Sequence, residues 1–103
     1  MNVANDILIT AECEREHGWD YDVRVQAFGC ETTHRVRLDW VDHEHWAGGT
    51  CRPSRVVQAA LRILVESNVA LPALFDVSVA RRLLAGFDSA MHDRLGEPAR
   101  AED

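Results

Sequence analysis

Three short runs in the first forty residues alternate apolar and polar side chains. The apolar positions are, in order, Ile7, Ile9, Ala11 and Cys13; Tyr21, Val23, Val25 and Ala27; and His34, Val36, Leu38 and Trp40. Alternation with period two is typical of a strand that buries one face and exposes the other. Turn residues separate the runs at 17–20 and 29–32. The pattern therefore predicts an antiparallel meander of three strands.

A helical period replaces this alternation after Pro53, a residue that suits the first turn of a helix. The apolar residues are Val56, Val57, Ala60, Leu61, Leu64 and Val65. Polar side chains fall on the opposite side at Gln58, Arg62 and Glu66. We predict an amphipathic helix over residues 53–67. Its apolar stripe should cover the dry face of the meander, because a three-stranded sheet needs such a cover to be stable.

The other segments predict shorter elements. We expect a connector over residues 41–52 and a turn over residues 69–75. Asp76 is a candidate cap for a second helix, and Gly86 is a candidate break in it. The apolar stripe of that helix is Val79, Ala80, Leu83, Leu84 and Phe87. A last short helix should end at Gly96.

These elements predict one α+β domain over residues 1–96, with a flexible tail at 97–103. The order is βββαα(α), a three-stranded antiparallel meander followed by two or three helices packed on one face. A length of 103 residues suits a single domain with a modest core.

The charge is uneven along the chain, whose net charge is −6. Ten acidic residues and four Arg give residues 1–50 a net charge of −6, whereas residues 51–103 hold seven of each. The acidic half repels phosphate backbones, so we do not expect nucleic acid as a partner. It is compatible with a basic protein partner.

Compartment and redox state follow from what the sequence contains. The apolar stretches fall far short of the roughly 18 residues of a membrane span, and the first residues do not resemble a secretory signal. The three cysteines, an odd number at irregular spacing, are not a disulfide framework. We expect a cytoplasmic protein with reduced thiols, no membrane partner and no cofactor.

The wet face of the meander offers a candidate docking surface. Alternation places Arg24, Arg35 and Arg37 there, opposite Glu12 and Glu14. Such cross-strand pairs set the register of a sheet, and they also form a charged surface for a partner. Two aromatic residues, Trp19 and Phe28, form a candidate anchor, because aromatic side chains dominate interface hot spots.

The connector suggests two chemical alternatives. His43, His45 and Cys51 carry imidazole and thiolate groups, the preferred zinc ligands, although the chain has no Cys-x-x-Cys pair. Cys51 is also a candidate nucleophile with one of these His residues as its base. The sequence shows neither an oxyanion hole nor a third orienting residue, so we do not predict an enzyme.

A further alternative is DNA binding through residues 71–84. This segment is similar to the middle of a helix-turn-helix, with Asp76 where the turn glycine usually stands. Arg81 and Arg82 would then lie on the recognition helix. The segment lacks flanking basic residues for phosphate contacts, so this reading ranks second.

The second half of the chain resembles a group of small bacterial α+β proteins. Their signature joins Gly, Pro and an amphipathic helix to Phe-Asp-Leu-Ser-Val. The matching residues here are Gly49, Pro53, Val56, Val57, Ala60, Leu64, Val65, Glu66, and Phe75-Asp76-Val77-Ser78-Val79. This chain departs from the group at Gly86-Phe87, where Phe-Pro is usual. The resemblance implies the fold and assigns no functional residue.

The leading hypothesis is therefore a non-enzymatic protein–protein interaction or regulatory module. A homodimer is one form of it, because an open sheet has two edge strands that can pair.

Overall fold

The computed structural model describes residues 6–48 and 51–101, with side chains up to residue 95. The elements are β1 (Asp6–Arg15), β2 (Gly18–Ala27), β3 (Cys30–Asp39), α1 (Trp40–Ala47), α2 (Pro53–Glu66), β4 (Leu74–Asp76), a 3₁₀ turn (Val77–Val79), α3 (Ala80–Leu83) and α4 (Phe87–Ala101). Gly49, named in the resemblance above, lies outside the described residues.

The strands form one sheet in the order β1-β2-β3-β4, and the first three are antiparallel neighbours. The predicted α+β meander followed by helices is confirmed. β4 is an addition, since it pairs in parallel with β3 and places Leu74 opposite Arg35. The sequence predicted a turn here, because Pro72 precedes the strand and three residues are too few to show a period.

The helix α2 covers the dry face of the sheet, as predicted. Its stripe is buried at Val56, Val57, Ala60, Leu61, Leu64 and Val65. The buried side chains of the sheet include Tyr21, Val23, Val25, Val36 and Leu38. Burying one Val or Leu side chain contributes about 1.5–3 kcal/mol, so this layer is the main source of stability.

A β-bulge interrupts the alternation of β1. The pairing with β2 shifts by one residue between Ile9 and Ala11, and such a shift moves every later side chain to the other face. Glu12 therefore lies opposite Tyr21 on the helix-facing side. Burial, with a contribution from Glu12, raises the pKa of Tyr21. The predicted position of Glu12 and Glu14 beside the open-face arginines is thus wrong.

The two hairpin turns are tighter than the sequence predicted. Residues 16–17 join β1 to β2, and residues 28–29 join β2 to β3. Gly18 begins β2 and lies against the backbone of β3, where a Cβ would stand 2.3 Å from the carbonyl oxygen of Leu38. The glycine is therefore needed for a close approach of two strands and not for a turn.

The predicted connector is largely a helix. Trp40 begins α1 and is 48% exposed, although the alternation placed it on the buried face of a strand. Trp46 and Ala47 are buried, and Gly48 ends the helix with a φ of 57°. Eight residues make little more than two turns, which is too short for a helical period to stand out in the sequence.

The segment after α2 is not a helix-turn-helix. Residues 71–84 contain a turn, β4, a 3₁₀ turn and the four residues of α3. The carboxylate of Asp76 accepts a hydrogen bond from the Ser78 amide at 3.0 Å, so its predicted capping role is confirmed on a shorter element. Gly86, with a φ of 79°, separates α3 from α4 as expected.

The last helix is longer than predicted. α4 contributes Phe87, Met91 and Leu95 to the core and continues past Gly96 to Ala101. A glycine inside a helix costs only about 1 kcal/mol relative to alanine, which does not stop a helix by itself. Residues 102–103 of the predicted tail lie outside the described residues. Among the described helices, none has the length and apolar character needed to cross a membrane.

Candidate functional site

The predicted aromatic pair is separated by the length of β2. Trp19 lies near the start of the strand, whereas Phe28 follows its last residue. At about 3.3 Å per residue, the two positions are about 30 Å apart. Trp19 is half-buried against the core, and Phe28 is 61% exposed. They therefore belong to two different regions, the Trp19 end of the sheet and the Phe28 end.

At the Trp19 end, aromatic contacts join the sheet to α1. The rings of Trp19 and His43 meet edge to face with centroids 5.4 Å apart. His43 also donates a hydrogen bond from Nε2 to the backbone carbonyl of Cys51 at 2.8 Å, because a carbonyl oxygen can only accept. Both contacts position α1 and the start of the following segment.

The three predicted zinc ligands do not converge. His43 and His45 are two positions apart on a helix, so their side chains diverge by about 200°. His45 lies against the ring of His92, with centroids 5.7 Å apart. Cys51 contacts His43 through its backbone oxygen and not through its thiol. Among the described residues, the potential metal ligands that do lie close together belong to three aspartates.

Arg81, a predicted DNA contact, is bound within the protein at this end. Its Nε lies 3.2 Å from a carboxylate oxygen of Asp88, and its guanidinium carbon stands 5.1 Å from the centre of the Trp46 ring. The Trp46 indole donates a hydrogen bond to the same carboxylate at 2.7 Å. This hydrogen bond, as the main cause, lowers the pKa of Asp88. Arg82 is exposed on the four-residue α3.

Three aspartates gather beside Arg81. Carboxylate oxygens of Asp39, Asp42 and Asp76 lie within 4.8 Å of one another. Burial raises the pKa of Asp42, with Asp76 and Asp39 adding to the effect, whereas Arg81 acts in the opposite direction. Carboxylates of this kind suit a hard divalent cation. The Arg81 guanidinium, 3.8 Å from Asp42, already supplies a positive charge here.

The arginines of the open face are paired, as the sequence predicted, but with other acids. Arg35 lies 2.7 Å from Asp22 and Arg37 lies 3.3 Å from Asp20, and each pair joins directly opposed residues of β2 and β3. Arg24 lies 3.2 Å from Glu31. Exposed pairs of this type contribute only about 0.2–1 kcal/mol each. They set the register and leave little unpaired positive charge for a partner.

The Phe28 end carries an apolar cavity, which we call the hairpin-end groove. It has a volume of about 250 Å³ and lies between the end of the sheet and the segment after α2. Its lining is mostly apolar and consists of Val25, Ala27, Phe28, Cys30, Thr32, His34, Val65, Val69, Ala70 and Leu71. A concave apolar surface of this size accepts a single large side chain or a small apolar molecule.

His34 holds one wall of the groove in place. Its Nδ1 donates to the carbonyl of Pro72 at 2.7 Å, and its Nε2 forms a hydrogen bond with the Thr32 hydroxyl at 2.7 Å. The buried ring thus links β3 to the segment containing Leu71. The groove is therefore formed by a fixed loop and a sheet.

Phe28 has an unusual conformation for its residue type. Phe28 and Gly29 are the two central residues of the β2–β3 hairpin, with φ values of 57° and 77°. Two positive φ values define a type I′ turn, which favours Asn-Gly or Asp-Gly. A bulky side chain in the left-handed region costs about 1–2 kcal/mol. The hairpin therefore holds an exposed aromatic residue where a small polar residue would be more stable.

Comparisons with family models, with curated proteins and with solved structures return no match to this chain. The resemblance to small bacterial proteins stays a prediction.

Sequence reasoning found Phe28 but missed the groove beside it. Leu71 and Val69 reach the groove because β4 draws their segment onto the edge of β3, and nothing in their local sequence predicts that pairing. Phe28-Gly29 between two alternating runs is the signal that was available, since it stands where Asn-Gly is expected.

Proposed function

We propose that this chain is a non-enzymatic protein–protein interaction module that binds an apolar side chain of a partner at the hairpin-end groove. The observation that carries the proposal is Phe28. It is 61% exposed, it has a left-handed backbone conformation, and it stands at an apolar groove of about 250 Å³.

The energetics of the turn support a binding role. The left-handed conformation of Phe28 costs stability, and a small polar residue at this position would cost less. The stability of the folded chain therefore does not explain an aromatic residue here. Binding would supply the compensation, because an aromatic side chain removed from water at an interface is a typical hot spot. Cys30 and Leu71 would then form the apolar rim around the bound side chain.

We also propose that this module works in the cytoplasm. Cys13, Cys30 and Cys51 are all unpaired, which agrees with the reducing cytoplasm of a bacterial cell. The partner is a second protein, and a regulatory role would follow from its identity. Self-association through the same groove is the competing form, and sedimentation of the purified chain distinguishes the two.

Phe28→Asn provides the first test, since stability and binding should change in opposite directions. Asn suits a type I′ turn, so the free energy of unfolding should rise by about 0.5–1 kcal/mol, measured by urea denaturation. Binding of the partner should be lost. Val41→Asn is the matched control, because Val41 is 71% exposed at the other end of the sheet.

The partner is captured with a photoreactive phenylalanine analogue at position 28, and with the same analogue at position 41. We expect one discrete crosslinked protein from position 28 and none from position 41. Equal crosslinking from both positions, or a Phe28→Asn chain that is less stable and still binds, would contradict the proposal.

A further inference from the structure

One stretch of β3 has an uncovered edge. β3 is ten residues long, and β2 pairs with it along its full length. On the other side, β4 pairs only with residues 35–37. Within the described part of the chain, residues 30–34 therefore have no strand on that side.

The backbone groups on this edge can be assigned by alternation. The Arg35 amide donates to the carbonyl of Ala73 at 2.8 Å, so the backbone groups of Arg35 point away from β2. Successive residues of a strand alternate in this direction. The amides and carbonyls of Thr33 and Glu31 thus point to the same open side, and both residues are exposed.

A cavity lies on each side of this edge. The hairpin-end groove is on the helix-facing side and includes Cys30 and Thr32. A second cavity of about 420 Å³ lies on the open face and includes Thr33, Arg24 and Asp22. Side chains of an extended strand point alternately to the two faces. A strand placed on this edge would send one side chain into the groove and the next over the open-face cavity.

The other long edge of the sheet is protected in ways that this one is not. β1 contains the bulge and carries Glu12 and Glu14 on its helix-facing side. The Gln58 side chain also donates to the carbonyl of Ile7 at 3.2 Å. Bulges and inward charges are known devices against strand addition. The β3 edge at residues 30–34 has no bulge in its pairing with β2.

We infer that the β3 edge at residues 30–34 binds an extended segment of the partner as an added strand. This inference rests on the proposed function and gives its binding mode. One apolar side chain of the segment occupies the hairpin-end groove. The neighbouring side chain lies over the open-face cavity, whose two arginines, Arg24 and Arg35, are already paired with Glu31 and Asp22. With these local charges balanced, the net charge of −6 over residues 1–50 favours a basic side chain in the bound segment. Main-chain hydrogen bonds provide affinity and the two cavities provide specificity.

The test uses a random seven-residue peptide library displayed on phage and selected against the full chain. We expect enriched peptides in which apolar residues alternate with Lys or Arg. The best synthetic peptide is then titrated by fluorescence anisotropy against Thr33→Pro and Thr33→Val. Proline is tolerated at an edge whose N–H faces solvent, yet it removes the donor that an added strand needs.

Thr33→Pro should weaken binding about tenfold or more, whereas Thr33→Val should stay within about twofold. Methylation of alternate backbone nitrogens in the peptide tests the same hydrogen bonds without changing the protein. Amide exchange at Glu31 and Thr33 should slow on binding.

The possible failures are distinguishable. A peptide whose binding survives Thr33→Pro and N-methylation, but is lost in Phe28→Asn, overturns strand addition and leaves the apolar groove as the site. If no peptide is enriched while crosslinking at position 28 still captures a partner, strand addition is again wrong. If neither experiment yields a partner, the proposed function falls as well.

Discussion

The two ends of the sheet use their aromatic residues in opposite ways. At the Trp19 end, Trp19 contacts His43, and Trp46 contacts Phe87 and Arg81, so both rings are engaged within the fold. At the Phe28 end, the aromatic ring is mostly exposed and stands beside an apolar groove. Aromatic content alone therefore does not mark a binding surface.

The charged residues also differ between the Trp19 end and the Phe28 end. The Trp19 end concentrates Asp42, Asp88 and Arg81 in one network, whereas the lining of the hairpin-end groove contains no Asp, Glu or Arg. A network of this kind connects α1, α3 and α4, and its residues are committed to structure. The lining of the groove has no charged network of this kind, which is why we propose the binding role for the Phe28 end.

The largest expected difference between the ends comes from the same substitution at two glycines. Gly18→Ala should cost at least about 3 kcal/mol, because its Cβ would stand 2.3 Å from the Leu38 carbonyl oxygen. Gly29→Ala should cost only about 1–2 kcal/mol, since that site is open and only its φ of 77° is unfavourable. Urea denaturation of both variants measures the difference. Similar costs at both sites would mean that the two ends are equally tolerant.

A smaller effect is expected from the indole of the Trp19 end. Trp46→Phe removes the hydrogen bond to Asp88 and reduces the contact with Arg81, so it should cost about 1.5–3 kcal/mol. Trp40→Phe is the matched control at the start of the same helix, where the ring is 48% exposed. Its cost should stay within about 0.5 kcal/mol. Equal losses would show that the network does not hold this end together.

The smallest effects concern pH, and two acids of this network should act with opposite signs. The pKa of Asp88 is lowered in the folded chain, so its contribution is present above pH about 4 and is lost as the pH falls through the folded value. The pKa of Asp42 is raised, so its contribution is present below pH about 4 and is lost as the pH rises through the folded value.

Urea titrations between pH 3 and pH 7 compare Asp88→Asn and Asp42→Asn with the parent chain. Asp88→Asn should lower the free energy of unfolding at neutral pH, and that free energy should then fall less steeply toward acid pH. The change should be below about 1 kcal/mol because Asp88 is partly exposed. Asp42→Asn should raise stability at neutral pH relative to acid. The same sign in both variants would contradict the division of roles within the network.

Much of the architecture could be predicted from periodicity. The alternation in residues 21–27 placed four side chains correctly on the buried face, and the stripe over residues 56–65 is buried throughout. Both patterns repeat over enough residues to specify a face. Trp40 departs from the alternation predicted for the third strand, because β3 ends at Asp39 and α1 begins at Trp40. The period of a strand does not apply to a helical residue.

The bulge and β4 were not predictable in the same way. One extra residue in β1 reverses the faces of Glu12 and Glu14 without changing the local sequence pattern. β4 exists because three residues find an open edge on β3 about forty positions earlier in the chain. Neither feature has a local signal, since each depends on the partner strand.

The candidate site, like the fold, could be predicted only in part from the sequence. Phe28, Arg24, Arg35 and Arg37 were predicted to be on the surface, and they are exposed. The loop that completes the groove and the acids that pair with the arginines depend on how the elements pack. The separation of His43 from His45 follows from α1, a helix that the sequence did not predict. Arg81 was expected at a surface helix and instead joins a network among three helices.

The sequence by itself determined which faces of the strands and of α2 are apolar, because burial of apolar area follows directly from residue type and period. It also placed Phe28 beside Gly29 between two alternating runs, but the turn that contains both residues was established only by the structure. Only the tertiary structure decided which exposed groups are used internally and which edge stays open. Those outcomes depend on distances between residues far apart in the chain, which local pattern does not encode.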